Sequence, residues 1–422
     1  MNYRINNKWV VVFGALTAQM AIGALYAWSL FNEPISVAFN WDIDAVVTTY
    51  AITLVSFALT MIYSGRLQLK KGPRFTALIG GVLYSSGILL SAFVTSPTML
   101  YITYGVMGGA GVGFIYVCQL STLVKWFPNK KGAITGVATA AFAIGAILFK
   151  QVITGLLQIS DSTVYTTDMV SSTFLTLGII YAVMTIGGAL LLDLPDNGHE
   201  VNKLNGNDGR DYETKELLRT PNFYKLLFSD LLALMPGLLI IGLAKDIGSE
   251  YIGIKDSDLI TAAALVGYLA MFNAGGRLVS GRLADKFGAL KIYRTMYLIT
   301  IISLAFLSFV QVKPVSIIAI LIIGVGYGSF LSLVPTITGK LFGAKNFSSN
   351  YSLIFQAYGA AALLGIFIKK SVSFDQAFMI AMLTAVAGLT VAMTIKEEKQ
   401  LEPSFDDLSK KISVSSNKAY QS

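Results

Sequence analysis

Gly65-Arg66-Leu67-Gln68-Leu69-Lys70-Lys71-Gly72 and Gly281-Arg282-Leu283-Ala284-Asp285-Lys286-Phe287-Gly288 are two versions of one octet, set 216 residues apart in a chain of 422. They share Gly-Arg-Leu, a lysine at the sixth place and a closing glycine, and each follows a long apolar run. Near the same offset, Gly111-Val112-Gly113 stands ahead of Trp126-Phe127-Pro128, and Gly326-Tyr327-Gly328 ahead of Leu341-Phe342-Gly343. The sequence therefore reads as one unit written twice, with the octets as equivalent loops after the second and eighth apolar runs.

Working outward from the octets, runs of about 20 apolar residues recur, each enough to cross a hydrocarbon layer of roughly 30 Å. Twelve are read, near 9–31, 46–65, 75–95, 99–124, 132–153 and 171–193, then 223–244, 259–280, 292–311, 314–338, 347–368 and 373–395. Helices satisfy their own backbone polar groups inside a bilayer, so the expectation is an all-α membrane protein of two six-helix halves. The expected divisions are residues 1–193, a polar central loop 194–222 carrying His199, Lys203, Asp208, Arg210 and Asp211, residues 223–395, and a polar, poorly ordered tail 396–422. The first run follows Lys8 without a small-residue cleavage site and reads as a retained helix. A duplicated six-helix unit with a substrate site between its halves is a recurring plan of membrane carriers.

Composition agrees. Hydrophobic residues make up 54% of the chain and charged residues 13%, against about 25% charged in a water-facing domain. With 10 prolines, 39 glycines in no triplet period, one cysteine (Cys118) and one histidine (His199), disorder, collagen, an internal disulfide and a His- or Cys-rich metal site are all excluded. No metal or cofactor is expected. The net charge of +8 is explained by topology and needs no nucleic acid: 25 basic residues fall on one side of the spans and six on the other. That bias places the first side, with both termini, in the cytoplasm of a plasma (inner) membrane, against anionic lipid.

Of the 32 basic residues one remains, Arg277, inside the eighth span within Asn273-Ala274-Gly275-Gly276-Arg277; of the acids, Asp230 sits inside the seventh. Counted from Arg282 and Phe223, they lie roughly 8 and 10 Å deep at 1.5 Å per residue and could face each other. A charge in a bilayer costs at least about 2.5–3.5 kcal/mol and usually lines a polar cavity. The arginine fork matches a carboxylate with two parallel hydrogen bonds. Arg277 is thus the expected anchor of an anionic substrate. The plainer readings are a permanent Arg277–Asp230 pair tethering two helices, or snorkelling toward the span end. Around it stand Tyr26 and Trp28 with Gln19 on the first span, Tyr116 with Gln119 on the fourth, Tyr327 and Phe330 on the tenth, and Phe355 with Tyr358 on the eleventh. The glycines from 105 to 113 serve close helix packing, not phosphate binding, since no strand precedes them and no Gly-Lys-Ser/Thr follows. Without a nucleotide loop, transport draws on a gradient or on exchange. A membrane-embedded enzyme or sensor is the remaining class, but the spans hold no paired carboxylates, nucleophile–histidine set or metal ligands.

These motifs resemble the major facilitator superfamily and, within it, the oxalate/formate antiporter family, a relative of the monocarboxylate transporters. The segments that carry the resemblance are Gly23 through Ser29, Gly109 through Tyr116, Trp126 through Gly132, Leu218 through Phe223 and Asn273 through Gly288. The resemblance implies that Arg277 is the carboxylate-binding arginine and that Tyr116 and Tyr26 line the cavity. It also exposes a departure: where the oxalate-exchanging member has a second cation, a lysine in helix eleven, this chain has Tyr358. A dianion held by one cation would leave a carboxylate desolvated at several kcal/mol. Leu25 and Phe355 suit a small apolar tail instead. The expectation is symport of a small monocarboxylate, L-lactate first, then pyruvate or formate, with a proton taken by Asp230 and a single copy sufficing. Anion exchange of the oxalate/formate type is the alternative.

Overall fold

The repeated octets close helices and do not link them. In the computed structural model, which describes residues 4–158, 164–195, 211–255, 260–310, 312–371 and 373–396, the second pass is one helix, α3 (Ile43–Lys71), and the eighth is α11 (Ala262–Phe287). Arg, Leu, Gln and Lys are good helix formers, and long basic side chains reach the interface while their stems stay apolar. The octets therefore extend each helix beyond the read span. Gly72 (φ 83°) and Gly288 (φ 94°) stop them in the left-handed half of backbone space that glycine occupies without steric cost.

The chain crosses as follows. The first pass is α1 (Lys8–Gly23), a 3-10 turn (Ala24–Ala27) and α2 (Ser29–Phe39) containing Pro34, longer than the read span and interrupted by the tighter turn. After α3 come α4 (Pro73–Leu90), then a short α5 (Pro97–Leu100) running through a π segment (Tyr101–Gly108) into α6 (Gly109–Trp126). Next are α7 (Lys131–Leu156) and α8 (Thr167–Leu190). A one-turn α9 (Thr214–Leu217) precedes α10 (Pro221–Asp246), α11, α12 (Ala289–Phe309) and α13 (Lys313–Leu341). The eleventh pass breaks at Phe355 into α14 (Phe347–Ile354) and α15 (Gln356–Ser371), and α16 (Phe374–Met393) completes twelve passes among the described residues. Ten described helices are long and apolar enough to cross a membrane by themselves. The exceptions are the broken eleventh and α11, which carries Arg277, Arg282, Asp285 and Lys286. His199, Lys203, Asp208 and Arg210 of the central loop lie outside the described residues, as does the tail beyond Lys396.

Small residues set how closely helices approach. A Cβ on Gly23 would meet the Phe142 carbonyl and one on Gly145 the Met20 carbonyl, so α1 and α7 cross backbone to backbone. In lipid, where apolar burial alone gives helices no reason to associate, such contacts supply the packing. The same device joins the halves: Gly132 of α7 and Gly281 of α11 each face the other's carbonyl. Phe13, Leu59, Val183 and Leu383 remain exposed on the outside of the bundle, where lipid replaces protein as their solvent.

Candidate functional site

The tighter turn in the first pass, the break at Phe355 and the register of α11 together aim side chains at the axis between the halves. On the side where α3 and α11 end, the loop side, the halves are sealed. The Asp285 carboxylate accepts from the backbone N–H groups of Gly132 (2.8 Å) and Ala133 (2.7 Å), capping α7 from across the seam. Lys131 Nζ donates to the Gly339 carbonyl, Thr135 and Thr336 hydroxyls pair at 2.6 Å, and Ser348 donates to the Gly65 carbonyl. On the opposite side a cavity of about 460 Å³ opens between the halves, with Ala143, Lys150 and Gln151 of α7 facing Leu238, Ile241, Ala264, Tyr268 and Met271 of α10 and α11. Its deepest lining includes Tyr26, Asn273 and Tyr327.

Arg277 lies one helical turn below Asn273, under this floor. Because α11 continues to Phe287, Arg277 is ten residues from the helix end, about 15 Å along the axis at 1.5 Å per residue. Asp230 is nine residues from Pro221, about 14 Å along its helix. Both lie well inside their helices, away from the ends. Arg277 is 1% exposed, which rules out snorkelling. Its Nε donates to Asn273 Oδ1 (2.9 Å) and its Nη1 to the Thr139 carbonyl (2.7 Å) in the other half, while Nη2 has no partner. Asp230 is 4% exposed and its Oδ1 has no partner either. No ion pair joins the two among the described residues, so the tethering pair is absent from this conformation. Tyr116 and Tyr351 are within electrostatic reach of both charges. Ser229, beside Asp230, pairs with the Tyr293 hydroxyl at 3.0 Å and its carbonyl accepts from Tyr297.

The sequence-predicted aromatics do converge. Tyr26 and Tyr358 join hydroxyls at 2.7 Å across the halves. Tyr116 meets Phe355 (ring centroids 5.3 Å), and Phe355 stacks on Tyr358 (5.0 Å). Of the expected residues, Tyr26 and Tyr327 line the open cavity; Arg277, Tyr116, Leu25, Phe355 and Tyr358 are buried beneath or beside it. Trp28 and Phe330 pack elsewhere, against Phe31 and Tyr104 and against Tyr293 and Tyr297. Several contributors had gone unread. Phe57 touches Tyr116, Phe355 and Tyr358, and Phe142 touches Tyr26 and Tyr116. Neither bears any sequence signal, whereas Asn273, one turn from a buried arginine, did.

A twelve-pass bundle of two sealed halves around one buried arginine invites comparison with known carriers, and residues 9–366 match the family described as the Major Facilitator Superfamily. The chain belongs to that superfamily. It is similar to the uncharacterized MFS-type transporter YhjX of Escherichia coli (strain K12), 30% identical over 364 residues covering 86% of this chain and 87% of the relative. It is also similar to the oxalate:formate antiporter of Oxalobacter formigenes, 26% identical over 395 residues covering 92% and 91%. Its fold is that of the superfamily transporter FucP in the outward conformation, with a TM-score of 0.72 at 13% identity over 93% of this chain and 100% of that one. The superfamily protein is accordingly a multi-pass secondary transporter with an all-helical fold, and not an enzyme.

Proposed function

We propose that this transporter carries a small monocarboxylate, L-lactate ahead of pyruvate and formate, across the plasma membrane with one proton. The observation that supports it most directly is the Arg277 guanidinium, buried between the halves with two donors committed to protein and Nη2 open. A carboxylate there completes the fork with charge-assisted bonds. Tyr358 in place of a second cation disfavours a dianion, whose other carboxylate would be buried unpaired. Leu25 and Phe355 suit the methyl group, and Tyr26, Tyr116, Tyr327 and Tyr358 enclose the anion. The similarity to an oxalate:formate antiporter supports a small carboxylate as cargo.

With both termini in the cytoplasm, as the distribution of basic residues implies, the sealed side faces the cytoplasm and the cavity faces outward. Lys150 at the cavity wall then raises the local concentration of anions. Residues 1–193 and 223–395 form the two rocking units, and 194–222 tethers them. Asp230 is the proton site. In the empty carrier an ionised Asp230 offsets Arg277; once a substrate carboxylate takes Arg277, an ionised carboxyl buried without a compensating charge is costly, so Asp230 takes a proton, and the loaded and empty sites carry the same net charge while the halves rock. Radiolabelled L-lactate uptake into proteoliposomes, with pyruvate, formate and oxalate as competitors, tests the reading. Uptake with internal acidification, competed by the monocarboxylates and not by oxalate, is expected. Oxalate competing as well as L-lactate would overturn it, and counterflow without proton movement would make the chain an exchanger.

A further inference from the structure

Beneath the cavity floor, Gln19 of α1 and Gln119 of α6 are fully buried, and neither the oxygen nor the nitrogen of either amide has a partner. They are not paired with each other, although α1 packs on α6. Other buried amides do find partners: Gln356 Nε2 donates to the Ala58 and Ser352 carbonyls, and Asn350 Nδ2 to the Tyr212 carbonyl. Gln119 is one turn toward the loop side from Tyr116 on the same helix face, and Gln19 two turns toward it from Tyr26. Tyr26 and Tyr116 both pack on Phe142, one turn above the Thr139 carbonyl that holds Arg277. Gln119 thus sits near the level of the Thr139 carbonyl that holds the guanidinium and Gln19 about one turn further toward the loop side, and Nη2 of Arg277 and Oδ1 of Asp230 are also unpartnered.

Buried groups of this kind are costly to leave unmade and are paired in nearly all folded proteins. A carboxylate on Arg277 satisfies Nη2 and leaves the four amide atoms as they are. Two of those atoms accept and two donate, and a hydroxyl both donates and accepts. We infer that Gln19 and Gln119 read a hydroxyl on the carbon next to the carboxylate, so that the cargo is a 2-hydroxy monocarboxylate. This rests on Arg277 as the carboxylate anchor. A 2-oxo acid can only accept, leaving both amide oxygens unmet, and an unsubstituted acid satisfies neither amide. The order of preference is hydroxy, then oxo, then unsubstituted acid.

The test measures uptake of labelled L-lactate and labelled propionate by the purified full-length carrier in proteoliposomes, for the wild type and for Gln19→Met and Gln119→Met. The wild type should favour L-lactate over propionate by about tenfold to a hundredfold, the effect of one buried hydrogen bond. Either variant should bring the two within about threefold by losing lactate uptake while keeping propionate uptake. A merely structural role would lower both equally, and that result overturns the inference. Ligand-induced thermal stabilisation of the wild type gives a reading independent of the variants: equal shifts with L-lactate and propionate also overturn it, and leave the Arg277 reading intact. Transport or binding of neither acid overturns both.

Discussion

Arg277→Lys keeps the charge and removes the fork, so it isolates geometry from electrostatics. In the structure the guanidinium spends Nε on Asn273 and Nη1 on the Thr139 carbonyl, and presents Nη2 to a ligand. An ammonium has three donors on one flexible stem and cannot hold both protein acceptors while offering a planar pair to a carboxylate. At least one charge-assisted hydrogen bond to the anion is lost, worth about 1.5–3 kcal/mol. At 1.4 kcal/mol per tenfold, the uptake efficiency should fall by roughly 10- to 150-fold. The assay is concentration-dependent uptake of labelled L-lactate in proteoliposomes, normalised to folded carrier measured by size-exclusion chromatography. Because Asn273 and Thr139 remain as acceptors for a buried cation, the variant should fold, and the loss should appear in transport, not in yield. Uptake within twofold of wild type would refute Arg277 as the anchor.

Asp230→Asn retains the size of the side chain and removes its proton site, so L-lactate should still exchange across the membrane while lactate-driven proton movement disappears; unaltered alkalinisation outside the vesicles would exclude Asp230. Asp285→Ala deletes two charge-assisted bonds to the start of α7, together about 3 kcal/mol, enough to shift a two-state equilibrium by roughly a hundredfold toward opening on the loop side. Spin-label distances across Gly132 and Gly281 should lengthen, and an unchanged distribution would show that the seam is held by its hydroxyls. Gly23→Ala places a methyl against the Phe142 carbonyl and should lower the melting temperature of the detergent-solubilised protein, with yield falling alongside; a wild-type melting curve would mean that α1 and α7 can separate freely.

The spans, their number and the two-fold repeat were legible because a bilayer imposes a length and a polarity on each helix, and both are local properties of sequence. The rarity of charge inside those spans made Arg277 and Asp230 stand out before any contact was known. What the linear reading misjudged was extent: it ended the eighth helix near residue 280, whereas the helix runs on to Phe287, because lysine and arginine stems continue a helix through the interface. Convergence was decided only in three dimensions. Phe57 and Phe142 look like any lipid-facing aromatic until α3 and α7 bring them against Tyr116 and Tyr358. Whether Arg277 pairs with Asp230 depends on how far α10 and α11 stand apart, and in the fold the two are unpaired. Sequence by itself determined which groups must leave lipid, since the transfer cost belongs to each residue. Tertiary structure decided which of them meet, since hydrogen bonds and packing depend on distances set by glycine crossings, an interrupted first helix and a broken eleventh.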